Sequence, residues 1–401
     1  MLSLFKKQKK SNKFLVLDID NDQIKVLAIY KDLDNTFKII GSSIKKLPEN
    51  TLINYHILDR KTLSSYLSEA ISECTLELED VLKDIIVGFK GTQCIQITTT
   101  AKSTSTHKRI IQEEEIEEVY KKILDAAIIQ AQNDVVKING DYDCDLEIIA
   151  SSNVYFKVDG QFIDDPIKTE GEIFECAIFN AFSVKQDLID IRKLIKSVNL
   201  NLLAVSPIPY NLVQNISNSL IKENTDYTLI NFSQDITEVI IVFGKGLIDT
   251  KTLPIGYEHL KHGLSNKMGL TLLESEKVLQ SYSLGKLQKE EEIVIQKCLD
   301  DILHIWVEGI KICFENFSEI KTYASQIYLT GEGSLIPDVI NIFNSENWYK
   351  EIPFKTAPTC AKLNINDFNL ISDATSKVNS PLWISTLSLY IAYLEQEEQN
   401  D

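Results

Sequence analysis

Two stretches of this 401-residue chain decide its fold: FLVLDIDNDQIKVLAIY at 14–30 and YTLINFSQDITEVIIVF at 227–243. Each begins with a short apolar run, passes through a polar turn and ends in a second run rich in β-branched residues, which is the pattern of a β-hairpin. The first run ends at an acidic residue in one copy, Asp18, and at an amide in the other, Asn231. Because the two hairpins match at one constant offset, they predict a duplicated structure.

A third strand is predicted after each hairpin, at 37–48 and at 246–256. An amphipathic segment at 61–82 follows the first set of strands and carries apolar residues at helical spacing. Each half therefore combines a sheet with packing helices, which is α/β architecture. The polar turns are expected to face each other from two lobes, where a ligand could lie between them.

Between the hairpins lies a block of different character. Strands are predicted at 84–100, 146–160 and 171–183. A strongly amphipathic helix is predicted at 112–132, where the acidic first turn suits the helix dipole. This strand–helix–strand–strand order predicts a small α/β subdomain of its own.

The second half of the chain continues after its hairpin with a largely helical segment at 256–324, whose last helix is predicted at 302–320. A strand at 326–330 then leads through a glycine-bearing turn into a helix at 331–343. An apolar helix begins after Ser380 and is expected to pack into the core, because most of its faces are apolar.

The composition excludes several classes of function. The net charge is −17 and only the extreme N-terminus is basic, so no nucleic-acid binding is expected. No uninterrupted apolar run approaches the 18 residues that a membrane-spanning helix needs. The seven cysteines are widely spaced without a CxxC motif, which predicts reduced thiols in a reducing compartment.

The order of these segments resembles the actin superfamily, and within it the FtsA family of bacterial cell-division proteins, along most of the chain. LDIDNDQIKV stands at the family's phosphate-1 loop, the segment 229–256 at its phosphate-2 loop, and IYLTGEGSLIPDV (327–339) at its adenosine loop. LTLLESEKVL (270–279) resembles the helix start on the adenine side. PilM, a pilus-assembly relative, and MreB share the core, but VDGQFIDDPIKTEGEIFE (158–175) favours FtsA.

The resemblance implies an α/β, actin-like (ribonuclease H-like) fold, duplicated and two-lobed, with an inserted SHS2-type α/β subdomain. The implied boundaries are a basic N-terminal tail (1–12), lobe 1 (13–83 and 176–205), the inserted subdomain (84–175), the lobe 2 core (206–255 and 325–374), its helical subdomain (256–324), a C-terminal helix on lobe 1 (375–394) and an acidic tail (395–401).

The resemblance also implies a cleft for ATP and Mg²⁺, with Asp18 holding the metal through water. The nucleotide-binding residues that it implies are Asp18, Asp20, Asn21, Gln23, Lys25, Asn231, Ser233, Thr237, Glu276, Gly331, Gly333 and Ser334. Lys25 is the residue expected to reach a phosphate, with a solvated strand lysine as the alternative. Glu276 is expected at the ribose or base, with an exposed helix-start acid as the alternative.

The phosphate loops depart from the family pattern. Asp20 stands where the family has glycine, Asn231 replaces an aspartate, and neither loop keeps a glycine. An amide supplies no negative charge to a metal and cannot act as a base. The extra carboxylates Asp22 and Asp235 would repel a phosphate unless a cation intervenes. These changes predict weakened or lost hydrolysis, and they leave ATP binding open.

The resemblance implies an actin-like cell-division scaffold that links an FtsZ-type polymer to the membrane and can itself polymerise, and the degenerate cleft makes it at most a weak ATPase. The resemblance implies two contacts, the C-terminal tail of FtsZ on 256–324 and self-association through 84–175. The alternatives are a PilM-like scaffold of pilus or secretion assembly and a sugar-kinase-like enzyme. The kinase hypothesis is disfavoured because the second phosphate loop has no glycine.

The expected location is cytoplasmic, peripheral on the inner face of the cell membrane. The chain ends in acidic YLEQEEQND, whereas FtsA-like proteins carry an amphipathic membrane helix there. A short apolar edge beside a lysine cluster at the N-terminus could dock on anionic lipid instead. The alternative is a solvated terminus. The residues expected to make the membrane contact are Leu2, Leu4, Phe5, Lys6, Lys7, Lys9 and Lys10.

Overall fold

The computed structural model describes residues 12–140, 144–220, 225–244, 246–317, 320–345 and 348–398. The strands are β1 Lys13–Ile19, β2 Gln23–Lys31, β3 Phe37–Lys46, β4 Leu52–Ile53, β5 His56–Ile57, β6 Asp84–Phe89, β7 Ile95–Ile110, β8 Leu146–Val158, β9 Gln161–Ile163, β10 Glu170–Val184, β11 Asn201–Pro207, β12 Tyr227–Phe232, β13 Thr237–Phe243, β14 Gly246–Leu253, β15 Gln326–Thr330, β16 Thr359–Lys362 and β17 Ile371–Asp373. The helices are α1 Arg60–Cys74, α2 Glu113–Asn139, α3 Lys185–Ser197, α4 Ile208–Ser219, α5 Tyr257–Met268, α6 Leu272–Ser283, α7 Lys289–Glu315, α8 Pro337–Phe343, α9 Ile384–Ser388 and α10 Tyr390–Glu398.

Two large sheets share one plan. The sheet of lobe 1 has the order β11-β6-β1-β2-β3-β17, and the sheet of lobe 2 has the order β14-β13-β12-β15-β16. In each, three consecutive antiparallel strands come first, and the first of them pairs in parallel with a later strand, β6 in lobe 1 and β15 in lobe 2. The duplication predicted from the two hairpins is confirmed.

The register of the two hairpins is also the same. Asp18 at the end of β1 lies opposite Lys25, and Asn231 at the end of β12 lies opposite Glu238. Each turn closes with an equivalent backbone hydrogen bond, from the Asp20 N–H to the Gln23 carbonyl at 2.8 Å and from the Ser233 N–H to the Ile236 carbonyl at 3.0 Å. Every position in one turn therefore has a counterpart in the other.

The inserted block forms a separate four-stranded sheet of order β7-β10-β8-β9, with α2 packed against β7 and β10. Its limits differ from the predicted 84–175. β6 lies in the lobe 1 sheet, because its buried apolar side chains continue the parallel pairing beside β1. β10 continues along β7 and β8 as far as Val184. By sheet membership the insertion therefore covers 95–184.

The space between the two large sheets is filled by α4 and the C-terminal helices. α4 contacts α9, α10, β11 and β14, so it bridges the lobes instead of belonging to lobe 2 as the boundary at 206 predicted. The C-terminal helices pack on lobe 1, where the Phe14 and Tyr393 rings stack at 4.2 Å. α10 extends to Glu398, so part of the acidic tail predicted from 395 is helical.

The outer face of the lobe 2 sheet is covered by α5, α6 and α7. Trp306 of α7 stacks on Phe232 with ring centroids 4.6 Å apart and anchors the helix to the end of β12. α7 begins earlier than the predicted 302, because the Glu291 carboxylate accepts the Gln288 N–H and caps the helix at 288. None of the helices in the described ranges combines the length and hydrophobicity needed to cross a bilayer.

Candidate functional site

The two hairpin turns meet directly. The Asn21 backbone N–H donates to the Asp235 carboxylate at 2.9 Å, and the Gln234 amide donates to the Asp22 carboxylate at 3.1 Å. Asn21 also accepts the Tyr55 N–H at 2.9 Å. The prediction that the turns face each other is confirmed, and polar contacts already bridge them.

A buried ion cluster lies behind the lobe 1 turn. The Lys90 ammonium is 2.6 Å from Asp18 and also pairs with Asp20, and the Lys25 ammonium is 3.3 Å from Asp20 and 3.6 Å from Asp18. Both lysine side chains are only 1% exposed. Burial alone would raise the pKa of Asp20, but the two lysines outweigh burial and hold that pKa well below its usual value. The alternative that Lys25 is a solvated lysine is therefore wrong.

Lobe 2 adds a carboxylate to this cluster. Glu332, in a short 3-10 turn at Glu332–Leu335 after β15, places its Oε1 2.6 Å from the Lys25 Nζ. Burial raises the pKa of Glu332, and Lys25 counteracts that effect. Because Lys25 belongs to lobe 1, this buried ion pair joins the lobes.

The phosphate-2 turn has a different chemistry. The Asn231 amide donates to the Glu238 Oε2 at 3.0 Å, and both side chains are fully buried. Burial raises the pKa of Glu238. Burial, with the nearby Asp20 carboxylate, also raises the pKa of Asp235 to about 7. The second turn therefore carries carboxyl groups that resist ionisation.

The C-terminal segment closes the same region. The Lys25 ammonium donates to the Leu382 carbonyl at 3.3 Å, and the Thr386 hydroxyl donates to Asp18 at 3.1 Å. The segment Pro381–Trp383 also lies against the turn that carries Glu332. The ends of β1 and β2 are therefore enclosed by the chain's own C-terminal part.

The glycine turn after β15 fits tightly against lobe 2. Gly331 has φ +86°, and a Cβ there would lie 2.4 Å from the Phe232 carbonyl oxygen. A Cβ on Gly333 would lie 2.1 Å from the Phe232 ring. Ser334 donates to the Gly331 carbonyl at 2.6 Å. Close packing against Phe232 is therefore enough to explain why these two positions are glycine.

The other predicted site residues are also bonded within the protein. The Gln23 amide donates to Asp20 at 3.3 Å, and the Ser233 hydroxyl donates to the Ile236 carbonyl at 2.9 Å. Thr237 donates to the Ile255 carbonyl at 2.6 Å and accepts the Trp306 indole N–H at 2.8 Å. Glu276, on α6, lies apart from the cluster at the rim, 3.4 Å from the Lys46 ammonium.

A triphosphate does not fit these residues in the conformation described. The positions around the turns are filled by buried side chains that bond to one another, and both cluster lysines are already neutralised by carboxylates. A nucleotide phosphate would bring further negative charge beside Asp20 and Glu332, where like charges repel. Among the described residues, no three histidine, cysteine or acidic side chains are grouped as a metal site.

The sequence analysis missed three residues of the site: Lys90 and Glu332 of the ion cluster, and Glu238, which binds Asn231. A signal for two of them exists. DIIVGFKG (84–91) and QIYLTGEG (326–333) occupy equivalent positions beside the two hairpins, and both end in a charged residue followed by glycine. Extending the repeat from the hairpins to their parallel neighbours aligns Lys90 with Glu332.

No protein-family model and no curated protein matches this sequence. Solved structures do resemble it. A chain of the PilM–PilN type IV pilus biogenesis complex has a TM-score of 0.68 at 12% identity, covering 94% of this chain and 98% of that one. The ethanolamine utilization protein EutJ from Carboxydothermus hydrogenoformans has a TM-score of 0.48 at 10% identity, covering 95% and 89% of the two chains.

MreB5 of Spiroplasma citri bound to ADP has a TM-score of 0.46 at 10% identity, covering 97% of this chain and 98% of that one. The same MreB5 is also similar when bound to AMPPNP, with a TM-score of 0.44. The pilus-complex likeness, together with the duplicated sheets, shows that this chain has the actin-like ATPase fold.

Proposed function

We propose that this protein is a non-catalytic, actin-fold scaffold that helps to assemble a membrane-associated machine. The observation that carries the proposal is the bond between Asn231 and Glu238. At the place where the superfamily resemblance implies an aspartate that orients Mg²⁺ and water, this chain has an amide held by its own neighbour. A carboxamide neither activates water as a base nor supplies charge to a metal.

Two scaffold roles are compatible with the fold, and we favour the PilM-like one. The likeness to the pilus-biogenesis chain covers almost the whole of both chains. Under this proposal the partner is a PilN-type protein, the component named with PilM in that complex. The FtsA-like role is the second candidate, supported by the segment 158–175. Its partners would be the FtsZ C-terminal tail on 256–324 and a second copy through the inserted sheet.

Partner binding separates the two roles. The purified protein is immobilised and exposed in turn to the PilN-type protein and to an FtsZ tail peptide from the same genome, with binding measured by interferometry. Saturable binding of the PilN-type protein alone supports the pilus role, and binding of the FtsZ peptide alone supports the division role. Binding of neither, together with ATP turnover above about 1 s⁻¹, the range of ordinary enzymes, would overturn the scaffold proposal.

We also propose peripheral membrane contact through the N-terminal segment, which lies outside the described residues. The group consists of Leu2, Leu4, Phe5, Lys6, Lys7, Lys9 and Lys10. Each lysine near anionic lipid contributes about 1 kcal/mol of binding free energy, and the apolar side chains add to binding by inserting into the membrane interface. Deleting residues 1–10 is expected to abolish co-sedimentation with phosphatidylserine vesicles at low salt. Equal pelleting of the full-length and truncated proteins would refute the contact.

A further inference from the structure

The pseudo-twofold relation of the lobes extends to the charges. Lys25 and Glu238 occupy the same register position in the two hairpins, opposite Asp18 and Asn231. In the parallel strand pairs, Asp18 lies beside Gly88 of β6, and Asn231 lies beside Thr330 of β15. Lys90 follows Gly88 by two residues, and Glu332 follows Thr330 by two residues. Each lysine of lobe 1 therefore has a glutamate at the equivalent position of lobe 2.

One of these lysines contacts a glutamate of the opposite lobe directly. Lys25 of lobe 1 meets Glu332 of lobe 2 at 2.6 Å, with the two side chains 1% and 9% exposed. Lys90 and the backbone N–H of Gly91, from lobe 1, act electrostatically on Glu238 of lobe 2 and oppose the rise in its pKa. A Cβ on Gly91 would lie 3.2 Å from Ile236, which confirms that these segments touch. The direct ion pair across the cleft is therefore Lys25–Glu332, while Lys90 pairs within lobe 1 with Asp18 and Asp20.

We propose that the buried ion pair of Lys25 with Glu332 forms an interlobe clamp in the place where the fold ordinarily holds a nucleotide. The clamp consists of Lys25 from lobe 1 and Glu332 from lobe 2, and Lys90 supports it by pairing with Asp18 and Asp20. It holds the lobes closed without a nucleotide. Asp18 and Asp20 complete it by orienting both ammonium groups.

Electrostatics supports a clamp over a phosphate site. Opening the lobes would separate Lys25 from Glu332 inside a low-dielectric region, where loss of one partner leaves a buried charge uncompensated. Binding a triphosphate would require the same separation. It would also add negative charge to a site where the carboxyl groups of Asp18, Asp20 and Glu332 already outnumber the two lysines. Both lysines therefore already have carboxylate partners, and a triphosphate would have to displace Glu332 from Lys25.

Hydrogen exchange tests lobe closure. The Asn21 amide donates to Asp235 of the opposite lobe, so its exchange reports opening of the cleft. We expect Glu332→Gln to accelerate exchange in peptides covering 18–24 and 232–238 by about tenfold or more, since a coupling of 1.4 kcal/mol already corresponds to a factor of ten. Lys45→Met is the matched control. It removes an ion pair to Glu73 within lobe 1 and should leave these peptides unchanged.

A double-mutant cycle separates the clamp from general destabilisation. If Lys25 and Glu332 act together, Lys25→Met combined with Glu332→Gln accelerates exchange less than the product of the two single effects. Should Glu332→Gln fail to fold, Glu332→Asp keeps the charge and lengthens the 2.6 Å contact. Multiplicative single effects, or no change in these peptides for either glutamate variant, would overturn the clamp.

Calorimetry with Mg-ATP tests the competing role of Lys25. We expect the wild-type protein to show no binding heat at ATP concentrations up to about 1 mM, a range that detects weak binding. Binding tighter than about 100 µM that Lys25→Met abolishes would make Lys25 a phosphate ligand and refute the clamp. These outcomes do not depend on which partner the scaffold binds, so failure of the clamp and failure of the proposed function are distinguishable.

Discussion

The two hairpin turns have the same backbone and opposite chemistry. In lobe 1, Asp18 faces Lys25, and two buried ammonium groups lower the pKa of Asp20 and keep that carboxylate ionised. In lobe 2, the equivalent pair is Asn231 and Glu238, and no lysine of the same turn is available, so burial raises the pKa of the glutamate. The hydrogen-bonding frame of a duplicated fold was thus kept while its charges diverged.

The difference shows that the charges of a cleft can change without a change of fold. Sheet pairing depends on the backbone and on apolar side chains such as Leu17 and Ile230, which remain buried in both copies. Charges at the strand ends are not needed for that pairing. They could therefore become complementary between the lobes, as in the contact of Lys25 with Glu332.

The largest effect is expected at Lys90, on which the lobe 1 turn depends. Lys90→Met leaves Asp18 and Asp20 buried with Lys25 as their remaining ammonium partner. Breaking a buried ion pair in this way is expected to lower the free energy of unfolding by about 4 kcal/mol. Urea denaturation at pH 7 measures the loss. The control Lys45→Met removes a more exposed pair and should cost less than about 1 kcal/mol, and equal losses for the two variants would contradict the prediction.

The next effect is a pH dependence from the lobe 2 turn. The folded-state pKa of Asp235 is about 7, above its usual value of 3.8, because burial and the Asp20 carboxylate disfavour ionisation. A raised folded-state pKa means that the folded protein binds the proton more tightly. Stability from this group is full below about pH 4 and is lost as pH rises through 7, by as much as about 4 kcal/mol.

Asp235→Asn isolates this dependence. The asparagine oxygen can still accept the Asn21 N–H, but it does not ionise. We expect the variant to be more stable than the wild type at pH 8. Between pH 5 and 8 its unfolding should release up to one proton fewer than that of the wild type. Chemical denaturation at several pH values measures both. An unchanged pH slope would show that Asp235 ionises normally in the folded protein.

The glycine turn of lobe 2 gives a smaller, steric effect. Gly331→Ala introduces a Cβ 2.4 Å from the Phe232 carbonyl at φ +86°, and strain of this kind costs about 2 kcal/mol or more. Gly140→Ala is the control, because it has a similar positive φ of 69° and open space around the Cβ, so it should cost about 1 kcal/mol. Thermal unfolding compares the stabilities of the two variants. Equal losses of stability would mean that Phe232 moves aside at no energetic cost.

Much of the fold could be predicted from the sequence, because apolar runs and their spacing set it. The hairpins, the third strands and the strand–glycine turn–helix at the end of lobe 2 follow from local patterns. The limits of the insertion did not follow. Asp84–Phe89 reads as a strand in either sheet, and only its parallel pairing with β1 assigns it to lobe 1. Long-range pairing of this kind leaves no local signature.

The residues of the cleft could be located, but their bonding could not be predicted. Asp18, Asp20 and Lys25 do come together, as expected from one hairpin. Their main partners, Lys90 and Glu332, follow strands β6 and β15, which are distant in sequence from the first hairpin. Charge compensation depends on these non-local neighbours, so a pattern of extra carboxylates alone could not tell a metal or phosphate site from an internal ion cluster.

The smallest effect is expected at the rim of the cleft, where Lys46 also joins the lobes. Its ammonium is 3.1 Å from Asp22 of lobe 1 and 3.4 Å from Glu276 of lobe 2. The lysine side chain is 45% exposed, so water screens both pairs. Lys46→Met should therefore lower the free energy of unfolding by only about 0.5 kcal/mol.

Comparison with this rim contact also tests whether the central cluster stabilises the protein because it is buried. In about 0.5 M NaCl the Debye length falls to roughly 4 Å, so the small effect of Lys46→Met should vanish. The effect of Lys90→Met should persist, because its partners are shielded from salt by the surrounding protein. Denaturation of both variants at low and high salt gives the comparison. If the two losses decreased equally with salt, solvent would reach the central cluster and the lobes would not be held from within.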